Sequence, residues 1–173
     1  MGTHNEYLIP FKGLENGIHY YRFQVSTDFF SKFENSRIQK GNYTVDLIFD
    51  KRDQMMILDL SFDGNYSGAC DRCLVMIDIP HEGKDQIIIK LKGDSSSIES
   101  DEVVIIDDDS HEIDVSGFIH EMIHLHLPLI NERDCDLENY KFCDHSILDK
   151  IDREQKKEGG SADWDILKDL NLD

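Results

Sequence analysis

Four cysteines and one histidine–glutamate run carry the side chains in this sequence whose type and spacing could do chemistry. Cys70 and Cys73 form a Cys-x-x-Cys pair, and Cys135 and Cys143 follow downstream. Two thiolates presented by one tight turn can reach the same metal ion, and a four-coordinate structural zinc then takes two more ligands from elsewhere. Cys135 and Cys143 could supply them, as could Cys135 with His145. The step between Cys135 and Cys143 is longer than in an ordinary zinc knuckle. The other readings are reduced thiols near a sheet edge, or a thioredoxin-like redox pair. The redox motif opens a helix, whereas strand-like residues follow Cys73.

The second constellation is His120-Glu121-Met122-Ile123-His124, which matches the zinc metallopeptidase helix H-E-x-x-H. That chemistry needs two imidazoles one turn apart, a general-base Glu between them and a further ligand. On a helical wheel His120 and His124 fall opposite an apolar stripe of Val115, Phe118, Ile119, Met122, Ile123 and His126, on the side expected to face water. No third ligand follows at the extended spacing. The metallopeptidase is therefore the enzyme alternative, and two surface histidines are the preferred reading. His126, inside the stripe, is expected to be a hydrogen-bonded core residue.

The elements that must position these residues change period along the chain. Loosely alternating apolar residues predict strands over 18–25, 43–49, 55–62, 86–91 and 103–106. Phe29, Phe30 and Phe33 sit at helical spacing in a short helix over 27–33. Asp63-Gly64-Asn65 reads as a turn, and Pro80 and Gly83 as a break between strands. Residues 66–69 lead into the cysteine turn and 74–79 lead out. Residues 93–101 read as a polar loop. From Asp114, a plausible N-cap, an amphipathic helix runs to about residue 127 and stops at Pro128. The expected fold is α+β, an antiparallel β-meander or barrel-like sheet covered by that helix. The domain spans 1–149. Residues 150–173 form a charged linker with Gly159-Gly160-Ser161, then a helical tail with Trp164, Leu167 and Leu170 on one face. That face is a candidate partner-binding motif, and docking on its own domain is the alternative.

Composition bounds the function. The chain has 173 residues, 39% hydrophobic, with a net charge of −18. A field of that sign repels phosphate backbones and attracts basic proteins, so an autonomous nucleic-acid binder is not expected. No stretch approaches the roughly 20 apolar residues of a membrane span. The first residues lack the basic and apolar regions of a secretory signal. Cytoplasm is the expected location.

Gly68-Ala69-Cys70-Asp71-Arg72-Cys73-Leu74 resembles the Cys-x-Arg-Cys-Leu hallmark of the YceD family, the large ribosomal RNA subunit accumulation proteins. The acidic residues Asp107, Asp108 and Asp109, then Ile113-Asp114, then a helix ending Leu125-His126-Leu127-Pro128 match the family's second feature. Asp163-Trp164-Asp165-Ile166-Leu167-Lys168-Asp169-Leu170 resembles its C-terminal segment. The signature residues are thus Cys70, Arg72, Cys73, Leu74 and Pro128, and the resemblance runs from about residue 65 to the end. Many members carry a downstream four-cysteine cluster. Here Cys135 and Cys143 fall on its first and third positions, and Asn139 and Ser146 on the others. A complete local zinc site cannot form there, while a site shared with Cys70 and Cys73 could.

The resemblance implies a non-enzymatic factor in large-subunit ribosomal RNA accumulation. Combined with the acidic charge, it suggests a basic ribosomal protein or assembly factor as partner, with RNA contacted indirectly and no membrane involved. A small zinc-stapled interaction module unrelated to ribosomes is the remaining alternative.

Overall fold

The structure is a computed structural model that describes residues 6–91, 103–107, 109–132 and 141–158, with side chains to residue 154. The chain divides into two compact units, Met1–Gly68 with Asp78–Leu129, and Ala69–Ile77 with Ile130–Asp173.

The first unit is built on a mixed sheet. Its strands are β2 (Gly17–Val25), β3 (Gly41–Lys51), β4 (Met55–Ala69), β5 (Met76–Leu91) and β6 (Val103–Ile106), in that spatial order. β3 pairs antiparallel with both β2 and β4. The register follows from side-chain alternation. Tyr43, Val45, Leu47 and Phe49 on β3 and Met56, Leu58, Leu60 and Phe62 on β4 are all buried. Leu47 lies opposite Leu60, and Phe49 opposite Leu58. The other face carries Tyr20, Asp46, Ile48 and Ser61 toward solvent or half-buried.

The fold is α+β as expected, with two differences of topology. β6 joins β5 in parallel, from Ile88 opposite Val103 to Leu91 opposite Ile106, so the sheet is mixed rather than a pure meander. Among the described residues it also stays open and does not close into a barrel. A separate two-stranded ribbon pairs β1 (Leu8–Ile9) with β7 (Ile113–Asp114).

Two expected breaks lie inside strands. Asp63, Gly64 and Asn65 pair with Thr44, Tyr43 and Asn42. Gly64 is there for close approach, since a Cβ would stand 2.5 Å from the Tyr43 ring and closer still to the Asn42 carbonyl oxygen. Pro80 and Gly83 are interior to β5. β6 pairs only with Ile88 to Leu91 of β5, so it asks no backbone donor of Pro80. A Cβ on Gly83 would stand 2.6 Å from the His126 ring.

Helix α1 (Thr27–Phe30) is shorter than expected, and the chain continues in tight turns, with Phe33 N–H donating to the Phe30 carbonyl. Helix α2 (Ser116–Leu125) buries Ile119, Met122 and Ile123. The N-cap is Val115 rather than the expected Asp114, whose Oδ1 accepts the Ser116 N–H at 2.9 Å from one residue earlier. The helix ends ahead of Pro128, which disfavours helical geometry at residue 127. Past its end, the His126 ring meets Phe62 of β4 edge-on. In the second unit α3 (His145–Glu158) occupies residues read from composition as the start of a linker. Their Arg, Glu, Gln and Lys are good helix formers, and α3 runs through the expected boundary at 149.

Gly64→Ala should destabilise the protein by about 1–3 kcal/mol through overpacking at Tyr43. Gly13→Ala, whose Cβ would meet nothing within 4 Å, should stay within about 0.5 kcal/mol. Chemical denaturation of the two variants checks the pair.

Candidate functional site

The cysteine turn is closed by its own backbone. Leu74 N–H donates to the Cys70 carbonyl at 2.8 Å, and Cys70 N–H to the Val75 carbonyl at 2.9 Å. Closure puts Leu74 in the left-handed region at φ 62°, which a residue with a Cβ adopts at a cost of roughly 1–2 kcal/mol. The turn buries Cys70 and Cys73, at 1% and 3% exposure, and leaves Leu74 62% exposed. Asp71 and Arg72 are exposed as well. Asp71 fastens the turn to the segment after Leu129. Its N–H donates to the Asn131 carbonyl at 2.8 Å, and its Oδ2 accepts the Asn131 N–H at 2.6 Å.

Cys143 arrives from the other side, at the start of α3. Asp144 caps that helix, with Oδ1 accepting the Ser146 N–H at 2.9 Å and the Ser146 hydroxyl at 2.6 Å. These bonds hold the Asp144 carboxyl below its usual range. The Cys73 thiol sits at the meeting point. The Val75 N–H donating to its sulfur is the largest cause holding it below the ordinary thiol range. The Asp144 N–H and the Cys70 and Cys143 thiols act the same way, and burial opposes them. None of these three cysteines is in a disulfide. Among the described residues no group of three or more His, Cys, Asp or Glu is placed to hold a metal ion.

The expected site residues therefore fare differently. Cys70, Cys73 and Cys143 are brought together, while Cys135 lies outside the described residues. Arg72 and Leu74 are outward members of the same turn, and Pro128 is an exposed residue past α2. Trp164, Leu167 and Leu170 lie outside the described residues. The sequence reading missed Asp71, Asn131, Val75 and Asp144. Asp71 and Asp144 carried a signal, because an acidic side chain at a turn or just before a helix tends to accept backbone N–H groups. The contributions of Val75 and Asn131 are main-chain and leave no side-chain mark.

The histidines do not face water as expected. The His120 ring stacks on Phe33 at 3.9 Å and lies 4.0 Å from the His124 ring. Arg37 N–H donates to His124 Nε2 at 3.1 Å, so His124 Nδ1 carries the proton and donates to the His120 carbonyl at 2.8 Å. Both nitrogens of His124 are thus committed to the protein, unlike those of a metallopeptidase ligand. His120 Nε2 is buried without a hydrogen-bond partner. Burial first, and His124 second, push its pKa down to about 4. His126 is exposed rather than core, its Nδ1 donating to the Met122 carbonyl at 2.9 Å. The buried histidine is instead His81, whose Nδ1 meets the Tyr43 hydroxyl at 3.1 Å. Sequence reading did not single it out.

A family model described as "Large ribosomal RNA subunit accumulation protein YceD" matches residues 58–171, which include the cysteine turn, α2 and α3. No curated protein and no solved structure matches the chain.

Two outcomes follow from this geometry. Leu74→Gly should be neutral or stabilising by up to about 1 kcal/mol, and Leu74→Val destabilising by about 1–2 kcal/mol, because a β-branched residue suits positive φ worst. Thermal melts of the two variants separate these. The second concerns acid. His120 has a folded pKa of about 4 against 6.5 unfolded, so between those values the unfolded chain binds more protons. Stability should fall as pH drops through that window, by about 1–2 kcal/mol after discounting for partial exposure. His120→Phe keeps a ring against Phe33 and should flatten that part of the pH–stability profile.

Proposed function

The chain belongs to the YceD family of large ribosomal RNA subunit accumulation proteins, and on that premise we propose that it is a non-enzymatic factor in accumulation of the large-subunit RNA. It acts by binding a basic ribosomal protein or assembly factor, and ribosomal RNA is engaged through that partner. The family match over residues 58–171 is the observation that carries this reading. We place the chain in the cytoplasm, where ribosomes are built. No helix among the described residues is long and apolar enough to cross a membrane.

Charge supports the choice of a protein partner. RNA affinity depends on Lys and Arg meeting phosphates, and this chain carries a net charge of −18. Several of its cations are already engaged. Arg22 makes a two-pronged bond to Asp46, Arg52 pairs with Asp50 at 2.7 Å, and Lys51 Nζ donates to the Leu14 carbonyl. An open groove of about 670 Å³ in the first unit carries Asp63 and Glu82 beside Lys84 and the paired Arg22 and Asp46. The charges in this groove nearly balance, so it is the overall charge of −18 that favours a basic polypeptide, whose association it would speed at low salt.

Capture on the tagged full chain, with and without nuclease, tests the proposal. A basic ribosomal or assembly protein should stay bound after nuclease treatment and wash off as salt rises. If every partner disappears with the RNA, binding through protein is wrong.

A further inference from the structure

At one end of its sheet the first unit carries large apolar side chains on both faces. β3 and β4 turn Leu47, Phe49, Leu58 and Leu60 inward, where they are buried. The alternate residues point out, and a sheet face that meets water is ordinarily polar. Here the outward positions include Ile18 and Tyr20 on β2, Ile48 on β3 and Ile57 on β4. The register makes them neighbours. Tyr20 lies opposite Ile48, while Ile18 and Ile57 both lie opposite Asp50, on either side of it. Gln86 Nε2 donates to Asp59 Oδ1 at 2.6 Å, which marks the outward face of β5. Ile88 follows two residues later on that face, next to the buried Ile89. β6 extends the row with Ile105, opposite Lys90. Tyr20 is 75% exposed, Ile18 58% and Ile105 57%. Contiguous apolar surface of this kind marks an interaction site.

We propose that this face is where two copies of the chain meet, sheet against sheet, about a two-fold axis.

The polar groups on the face select this occupant. Arg52 pairs with Asp50, Gln86 with Asp59, Arg22 with Asp46 and Gln24 with Thr44. A basic polypeptide would find these carboxylates already engaged. An RNA strand needs several free cations, and Arg22 and Arg52 are committed to carboxylates. A second copy needs neither. It asks for apolar surface and for charges matched within each chain, so that covering them strands none. Size agrees as well. Five strands spread over about 20 Å, and the 11 residues of β3 run about 35 Å. That is roughly 700 Å² of face, against about 800 Å² per partner in a standard interface. In a two-fold dimer the same patch serves both copies, and two sheets stack about 10 Å apart with interdigitating side chains. The inference does not depend on the ribosomal reading.

Sedimentation velocity on the purified full chain, over a range of concentrations, tests it and should show a monomer–dimer equilibrium. Two chains of −18 each repel, so added salt should tighten the dimer by screening, the reverse of its effect on a basic partner. Tyr20→Lys and Ile105→Lys both reduce the net negative charge, yet each should weaken the dimer at least about tenfold. Leu125→Lys makes the same charge change at an exposed position on α2 and should leave the dimer as tight or tighter. All three positions are exposed, and circular dichroism checks that the variants fold. A chain that stays monomeric at every concentration and salt would overturn the proposal. So would a dimer kept at full affinity by both Tyr20→Lys and Ile105→Lys. Protection of Tyr20 from surface labelling in the monomer would overturn it too, because another part of the same chain would then cover the face.

Discussion

Cys70 and Val75 close a turn that forces Leu74, a residue with a full side chain, into the left-handed region of backbone space. The second unit depends on that closure. It turns two sulfurs inward, leaves Asp71 placed to exchange hydrogen bonds with Asn131, and frees the Val75 N–H for Cys73. From the other side, Asp144 caps α3 while its own N–H serves the same sulfur. The hydrogen bonds between Asp71 and Asn131 and between Asp144 and Ser146 are among the contacts that order these segments. The strain at Leu74, roughly 1–2 kcal/mol, persists because several such contacts share one geometry.

The first unit solves the same problem by different means. β3 and β4 bury matched rows of large apolar side chains, and α2 adds Ile119, Met122 and Ile123. Its polar intrusions are managed by aromatic rings. His81 is edge-on to Tyr43, Phe62 and Tyr66, while His120 is stacked on Phe33. Burial keeps both imidazoles neutral at physiological pH, since the charged form would lose its solvation.

What the sequence disclosed follows the physics of each element. Two-residue alternation in β3 and β4 was legible because one face is buried and the other is not, and the α2 stripe was legible at 3.6 for the same reason. Gly64 and Gly83 misled because glycine marks both turns and close approaches; only the neighbour tells them apart, here Tyr43 and His126. His120 and His124 misled because a helical wheel shows the stripe facing the sheet and not the turns after α1 that cover its flank. The cysteine turn was legible as a motif. Its donors at Val75 and Asp144 were not, being main-chain groups that any sequence would supply. Parallel pairing of β6 could not be read from a run of four apolar residues.

Family membership points to a role in large-subunit ribosomal RNA accumulation, and the acidic charge is the ground for proposing a protein as the intermediary. The most direct measurement is the ratio of large- to small-subunit ribosomal RNA in host cells lacking the gene, with and without the chain resupplied. The account predicts a fall in that ratio, restored by the full chain. A ratio unchanged by loss of the gene would contradict it.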